Sequence, residues 1–243
     1  MNYAFFSYVY DTLMDDTLYG KWLEYTNRHL EKSGQRVLEL ACGTGELAIR
    51  LQQSGYQVTG LDLSDEMLSL AMNRQLDAGV RFPLIQGDMR QLEEVGSFDA
   101  VTCFSDSLCY MRDENEVLKV FKSVYRILEE DGWFLFDVHS IHKIDNLFPG
   151  YMYNAELEDV VFLWTSYAGE EPHTIEHDLS FFIEEEDGRY RRYDETHRER
   201  TYPIPMYTNL LKQAGFQHVN VTGEFGLSDI EDTTERWFFA CKK

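Results

Sequence analysis

Basic residues are scarce in this chain of 243 residues: 22 Lys and Arg stand against 43 Asp and Glu, for a formal net charge of −21. A nucleic-acid backbone or an anionic membrane is repelled by such an excess. Cysteine stops at 4 (Cys42, Cys103, Cys109, Cys241), with no Cys-x-x-Cys pair and no His at ligand spacing. That argues against a structural zinc site and for buried free thiols. No apolar run reaches the ~18 residues of a membrane helix, and Met1 to Tyr10 lacks the basic region and apolar core of a secretory signal, so the expectation is a cytoplasmic protein. What is present, 44% apolar and 14% aromatic residues, excludes a mainly disordered chain. The length implies one large domain, or one domain carrying an insertion.

Patterning supplies the architecture. Residues 8 to 32 place Val9, Leu13, Tyr19, Trp22, Leu23, Thr26 and Leu30 at spacings near three and four, which predicts one or two amphipathic helices ending at Ser33-Gly34. Val37 to Leu40 then reads as a strand running into the turn Cys42-Gly43-Thr44-Gly45, with a helix resuming at Leu47, Ala48 and Leu51. Further strands are predicted at Gln57 to Leu61, ending at Asp62, at Arg81 to Gln86, at Phe98 to Phe104 and at Trp133 to Val138. Helices are predicted around Met67, Leu68 and Ala71 and over 114 to 129, the latter broken by Gly132. Alternating strands and helices imply a parallel sheet covered on both faces.

After His139 the period changes to two, over Val160 to Tyr167, Thr174 to Ile183 and Arg189 to Tyr202, which predicts an antiparallel insertion. Pro203 and Pro205 open a last helix closed by Gly215, and His218 to Thr222 and Arg236 to Lys242 read as final strands.

Ligands in such sheets bind beyond the carboxyl ends of the strands. The first strand end carries Gly-x-Gly-x-x-Ala (Gly43 to Ala48), whose glycines let backbone amides approach a ligand closely. The second carries Asp62, suited to the two hydroxyls of a ribose. The third carries Gly87-Asp88-Met89, an acceptor for an adenine amine beside an apolar wall. Met67 is placed to supply the other face of that base, although a Met at helical spacing equally fits plain core. A pyrophosphate at the glycine turn would face Glu39 and Glu46 with no Lys or Arg expected nearby, and no Gly-Lys-Ser/Thr ends a phosphate loop. An ammonium and a sulfonium are favoured there, so S-adenosyl-L-methionine suits the site better than NAD or ATP.

Glu39-x-x-Cys42-Gly43-Thr44-Gly45, Asp62 in Gly-Leu-Asp-Leu-Ser, Gly87-Asp88-Met89, Phe98-Asp99-Ala100-Val101 and Leu128 to Phe136 follow one another in the order seen in class I S-adenosylmethionine-dependent methyltransferases, which the chain resembles over about 35 to 140 and again over 203 to 242. The resemblance implies an α/β, doubly wound, Rossmann-like fold of seven strands, the last antiparallel. Residues 1–140 and 203–243 would form the cofactor-binding domain, with 1–33 as a helical cap and 141–202 as an antiparallel β insertion. It also implies that Glu39, Ala41, Gly43 and Gly45 line the methionine moiety, that Asp62 and Leu63 meet the ribose, that Met67, Asp88 and Met89 meet the adenine, and that Ser105 borders the sulfonium. Tyr10, in the segment Tyr10 to Met14, resembles the N-terminal contact of the small-molecule members of the group.

Acceptor recognition is open at this level. His139, after strand five, has a side chain suited to base chemistry, yet a lone His there equally fits a hydrogen-bonded structural role. Asp106 and Tyr110 follow strand four, where acceptors meet the cofactor, but Asp106 also fits a helix cap. Tyr10, Trp164, His177, His197, Arg200 and Tyr202 are further candidates for contact with an acceptor. In the strand from Arg189 to Tyr202, Tyr190, Arg192, Asp194, Thr196, Arg198, Arg200 and Tyr202 share one face, and Tyr193, Glu195, His197 and Glu199 the other. Neither face is apolar, so a solvated face laced with ion pairs is expected for most of them, the alternative being a lid or homodimer surface with a few inward residues. The functional expectation is methyl transfer to a small, neutral or cationic acceptor by in-line displacement. The competing readings are a non-catalytic cofactor- or partner-binding protein of the same fold, and an enzyme acting on RNA or protein.

Overall fold

A computed structural model describes residues 16–30, 34–157 and 159–243. Tyr10 and the rest of the segment to Met14, and the first part of the expected N-terminal helix, lie outside them. Helix α1 (Asp16–His29) is followed by β1 (Arg36–Leu40), α2 (Glu46–Gln53), β2 (Gln57–Asp62), α3 (Asp65–Asp77), β3 (Leu84–Gln86), β4 (Phe98–Cys103), α4 (Glu114–Ile127) and β5 (Leu128–His139). Four strands come next, β6 (Met152–Glu156), β7 (Val160–Ala168), β8 (Thr174–Glu184) and β9 (Tyr190–Arg200), and then α5 (Ile204–Ala214), β10 (His218–Gly223) and β11 (Arg236–Lys242).

The main sheet has the order β10-β11-β5-β4-β1-β2-β3. β11 runs antiparallel to both neighbours, whereas β1, β2, β3, β4 and β5 pair in parallel. Strand order therefore reverses between β1 and β4, which opens a crevice at their carboxyl ends. One core cluster joins Val117, Val120, Phe121 and Val124 of α4 and Tyr207, Leu210 and Leu211 of α5 to the sheet. A second joins Trp22 and Tyr25 of α1 and Leu47, Ala48 and Leu51 of α2 to other strand residues such as Val37, Ala100 and Phe238. Burying side chains of this size contributes about 1.5–3 kcal/mol each.

Local chemistry sets the element boundaries. Gly45 opens α2 at φ +79°, a conformation glycine adopts freely, and a Cβ there would stand 3.0 Å from the Ala71 Cβ. The Ser64 hydroxyl accepts from the Met67 amide at 3.1 Å and the Asp113 carboxylate from the Glu116 amide at 2.9 Å, so each caps its helix.

Three expectations are corrected. β3 starts at Leu84, not Arg81, because Pro83 has no N–H to give to a ladder. β5 starts at Leu128 and runs through Gly132, with a register shift against β4 between Phe98 and Ala100; a Cβ at Gly132 would lie 2.8 Å from the Glu129 carbonyl. The insertion holds an additional edge strand, β6, in a sheet of order β6-β7-β8-β9 with its own small core of Val160, Phe162, Leu179 and Phe181. The Thr201 hydroxyl donates to the His139 carbonyl at 2.6 Å and ties this sheet to the active edge of the main one.

Candidate active site

At the end of β1 the chain turns through Ala41 (φ 52°), Gly43 (φ 52°) and Gly45 (φ 79°). The Gly43 amide donates to Asp62 Oδ2 at 2.8 Å and the Ser64 amide to Oδ1 at 2.9 Å, so the turn and the second strand end are locked together through one carboxylate. Burial pushes that carboxyl up while the two amides oppose the shift. Glu39 lies beneath the turn, only 6% exposed, with Oε2 lacking any hydrogen-bond partner; burial, and next the Asp62 charge, pushes its carboxyl well above the ordinary range.

Glu46 differs from expectation. Arg50 reaches it at 2.7 Å and Arg74 at 3.4 Å, and Arg74 also donates to the Thr44 hydroxyl at 2.8 Å. The turn is therefore not free of cations: Arg50 and Arg74 come in from α2 and α3, which lie beside it in space. Asp88 is likewise committed, paired with Arg90 at 2.5 Å and held below its ordinary value by it. Arg90 continues to Glu116 at 2.6 Å, and Glu116 also binds Arg112, which lowers its carboxyl to about 2.

After β4, Ser105 (φ 56°) and Asp106 (φ 51°) are two successive non-glycine residues in the left-handed region, a strain of about 1–3 kcal/mol each. The Asp106 amide donates to Asp137 Oδ1 at 2.8 Å and so holds the kink. Asp106 stands before a short turn of 3-10 helix (Ser107–Tyr110) without capping it. Its carboxylate faces Arg236 at 2.6 Å and His139 Nε2 at 3.4 Å, and although burial raises it, His139 and the Arg236 guanidinium hold it below the ordinary range. Asp137 is fully buried in β5, where it accepts from the Trp22 indole at 2.8 Å and pairs with Arg236 at 3.1 Å.

The largest correction concerns β9. Its odd-numbered face is not solvated: His197 and Glu199 are buried and turn inward with His177 of β8, while Arg192, Asp194 and Arg198 carry the exposed ion pairs. His139 Nε2 lies 3.5 Å from Glu199 Oε2, and His177 Nε2 lies 3.6 Å from Glu199 Oε1. The Trp164 indole N–H points at both the Ser166 hydroxyl oxygen, at 3.0 Å, and His177 Nδ1, at 3.1 Å, and the same hydroxyl lies 2.8 Å from Nδ1. Burial, then the neighbouring His139, pushes His177 down to about 4. Tyr110 joins this group through the Glu199 carboxylate and through His197 Nδ1 at 3.2 Å.

One cavity of about 860 Å³ links both groups. Of the residues singled out in the sequence, Ala41, Gly43, Asp62, Leu63, Met67, Asp88, Met89, Ser105, Asp106, Tyr110 and His139 line it, as do Trp164, His177 and His197 of the insertion. Glu39, Gly45, Arg200 and Tyr202 are not among its lining residues. Glu199, Arg236 and the supporting Asp137 were passed over. A charge inside the apolar run Phe134-Leu135-Phe136-Asp137-Val138 and the Glu-x-His-x-Glu alternation of 195–199 were the available signals.

A family model described as a methyltransferase domain matches residues 37–132. The chain is 42% identical over 244 residues to the candidate methyltransferase YqeM of Bacillus subtilis (strain 168), covering all of this chain and 98% of that one. It is 25% identical over 242 residues to the glycine/sarcosine N-methyltransferase of Aphanothece halophytica, covering 92% and 87%. The crystal structure of an S-adenosylmethionine-dependent methyltransferase from Clostridium acetobutylicum ATCC 824 superposes with a TM-score of 0.83 at 30% identity, over 98% of this chain and 97% of that one. With the glycine turn, the strand-end carboxylates and the strand order all in place, the chain belongs to the S-adenosylmethionine-dependent methyltransferases.

Proposed function

We propose that this methyltransferase acts on a small-molecule acceptor held beneath the β insertion, with the cofactor laid along the carboxyl ends of β1 to β4. The observation that carries the reading is the single cavity that begins at Asp62 and Asp88 and ends under His177, His197 and Glu199. The fit of the cofactor rests on Glu39: a buried carboxylate with an unpartnered oxygen behind the glycine turn suits the ammonium end of the cofactor and opposes a diphosphate. When bound, S-adenosylmethionine supplies an electrophilic methyl group on a cationic sulfur, open to in-line displacement.

The protein's own part is to bind, orient and desolvate. Asp62, fixed by two backbone amides, has lone pairs left for ribose hydroxyls. Met67, Met89 and Leu63 line the neighbouring stretch as apolar walls for the base. The Asp88 carboxylate is shared between Arg90 and any adenine amine, so its pull on that amine is weaker than a bare acid would give. Ser105 and Asp106, at their kink, mark where the two halves of the cavity meet. Holding acceptor and methyl group aligned is worth up to about 7–11 kcal/mol in favourable cases.

A small acceptor is favoured over RNA or a protein side chain because the insertion's inner face walls that end of the cavity, and the net charge of −21 opposes RNA. The glycine/sarcosine N-methyltransferase relative, matched over nearly the whole chain, acts by its name on small amino compounds, which supports the same reading. Calorimetry with S-adenosylhomocysteine tests it. Binding is expected in the full chain and should weaken by roughly tenfold or more in Asp62→Ala, as for loss of a charged hydrogen-bonding group. No binding, or unchanged binding in the variant, overturns the proposal.

A further inference from the structure

The triangle formed by Asp106, His139 and Glu199 is built unlike the rest of the site. Its ligand atoms lie within 4.8 Å of one another, with 3.4 Å from His139 Nε2 to Asp106 and 3.5 Å to Glu199. Those separations are longer than good hydrogen bonds, which run near 2.8–3.0 Å, yet one heavy atom at the centre could touch all three. Glu199 is 94% buried by its 6% exposure, and its Oε2 has no hydrogen-bond partner; His139 Nδ1 is also buried without one. A buried carboxylate left in this state costs free energy that a donor from a ligand would remove.

We infer that this triangle seats the protonated nitrogen of a primary or secondary amine and that Glu199 takes the proton which that nitrogen must shed before it can be methylated. The inference rests on the methyltransferase reading above and narrows its acceptor class. An ammonium brings several N–H donors to three acceptors, whereas a hydroxyl brings one. Three carboxylates, Asp106, Asp137 and Glu199, surround the seat against one guanidinium, Arg236, and His177 is neutral, so the basin keeps a negative balance that draws a cation. A divalent metal fits less well. It would lie beside the Arg236 guanidinium, already 2.6 Å from Asp106. The rings of Phe148, 5.0 Å from the His139 ring, and Trp164, 5.2 Å from the His177 ring, add apolar faces suited to an alkylated cation.

The chemistry balances with the groups present. The ammonium gives one proton to the Glu199 carboxylate and gains a lone pair. That pair forms the N–C bond to the cofactor's methyl carbon while the C–S pair returns to sulfur as a neutral thioether, leaving the product nitrogen cationic and one proton in excess. Burial already raises the proton affinity of Glu199. The proton has a way on through the Tyr110 hydroxyl to His197 Nδ1 at 3.2 Å, and His197 Nε2 lies 3.2 Å from Glu195.

The test is calorimetry on the full chain saturated with S-adenosylhomocysteine, titrated with benzylammonium chloride and, separately, with benzyl alcohol. Benzylammonium is expected to bind roughly tenfold or more tightly than the alcohol, and Glu199→Gln to lose that preference while keeping wild-type affinity for S-adenosylhomocysteine, which also reports that the variant is folded. Equal behaviour of the two probes in the wild-type protein, including no binding of either, overturns the inference, as does a preference that survives in Glu199→Gln. Uptake of Zn²⁺ or Mg²⁺ that the same variant abolishes would make the triangle a metal site instead. Failure of S-adenosylhomocysteine itself to bind would overturn the methyltransferase reading, a separate result.

Discussion

The two ends of the cavity treat buried charge in opposite ways. Along β1 to β3 most acids are answered by the protein: Asp62 by two amides, Glu46 by Arg50 and Arg74, and Asp88 by Arg90. Under the insertion the acids and imidazoles face each other, and Glu199 and His139 retain unanswered atoms. The first arrangement is rigid before any ligand arrives, as recognition of a fixed cofactor requires. The second is completed by whatever enters it. Between them stands Asp137, which ties Trp22 of α1, the Asp106 backbone and Arg236 of β11 into one support.

That contrast can be broken by experiment, and the support between the two ends should respond most. Asp137→Ala leaves the Arg236 guanidinium and the Trp22 N–H without their shared partner, and is expected to cost about 3–5 kcal/mol in urea unfolding, the scale for a broken buried pair. A loss below about 1 kcal/mol would show that the hub carries no such load.

His177 comes next. Its value of about 4 in the folded chain lies below the unfolded one of 6.5, so the unfolded state takes up a proton first as pH falls. Stability should drop between pH 6.5 and 4 by about 3 kcal/mol on this account, with no effect above pH 6.5. Glu199, raised in the fold, acts with the opposite sign, so the readout is the difference between wild type and His177→Gln. The variant should show a shallower acid limb, and parallel limbs would remove His177 from the explanation.

The smallest effect is the sharpest comparison. Asp62→Ala strands the Gly43 and Ser64 amides and should lower stability by about 1–3 kcal/mol at neutral pH. Glu199→Gln replaces a buried carboxylate that burial and Asp106 disfavour, and should leave the unfolding midpoint unchanged or higher. Equal losses in both variants would erase the distinction drawn here.

Much of the cofactor end was legible in the residues. Glycines at a strand-to-helix turn, a strand-final Asp62 and a capping Ser64 are local features, and their spacing survives in three dimensions. The acceptor end was not, because its logic is carried by pairs far apart in the chain. Glu195, His197 and Glu199 read as a solvated face only while the strand is taken alone; β8 pairs beside it in the sheet and the turn after β4 packs against that face through Tyr110. Arg236 lies opposite His139 in the register of β11 with β5, a pairing no local pattern announces. Arg74 misled for the same reason, standing 28 positions beyond Glu46 in the numbering yet within 3.4 Å of it. Of the two readings open to Asp106, the helix cap does not hold: its amide is bound to Asp137 and its side chain turns toward Arg236.

The indole nitrogen of Trp164 turns one hydrogen toward two neighbours, the Ser166 hydroxyl oxygen and the His177 ring, so the imidazole is clamped from two sides and its tilt is set before anything enters the cavity. Replacing that indole with a phenyl ring would remove one jaw of the clamp and leave the imidazole hinged on the hydroxyl alone.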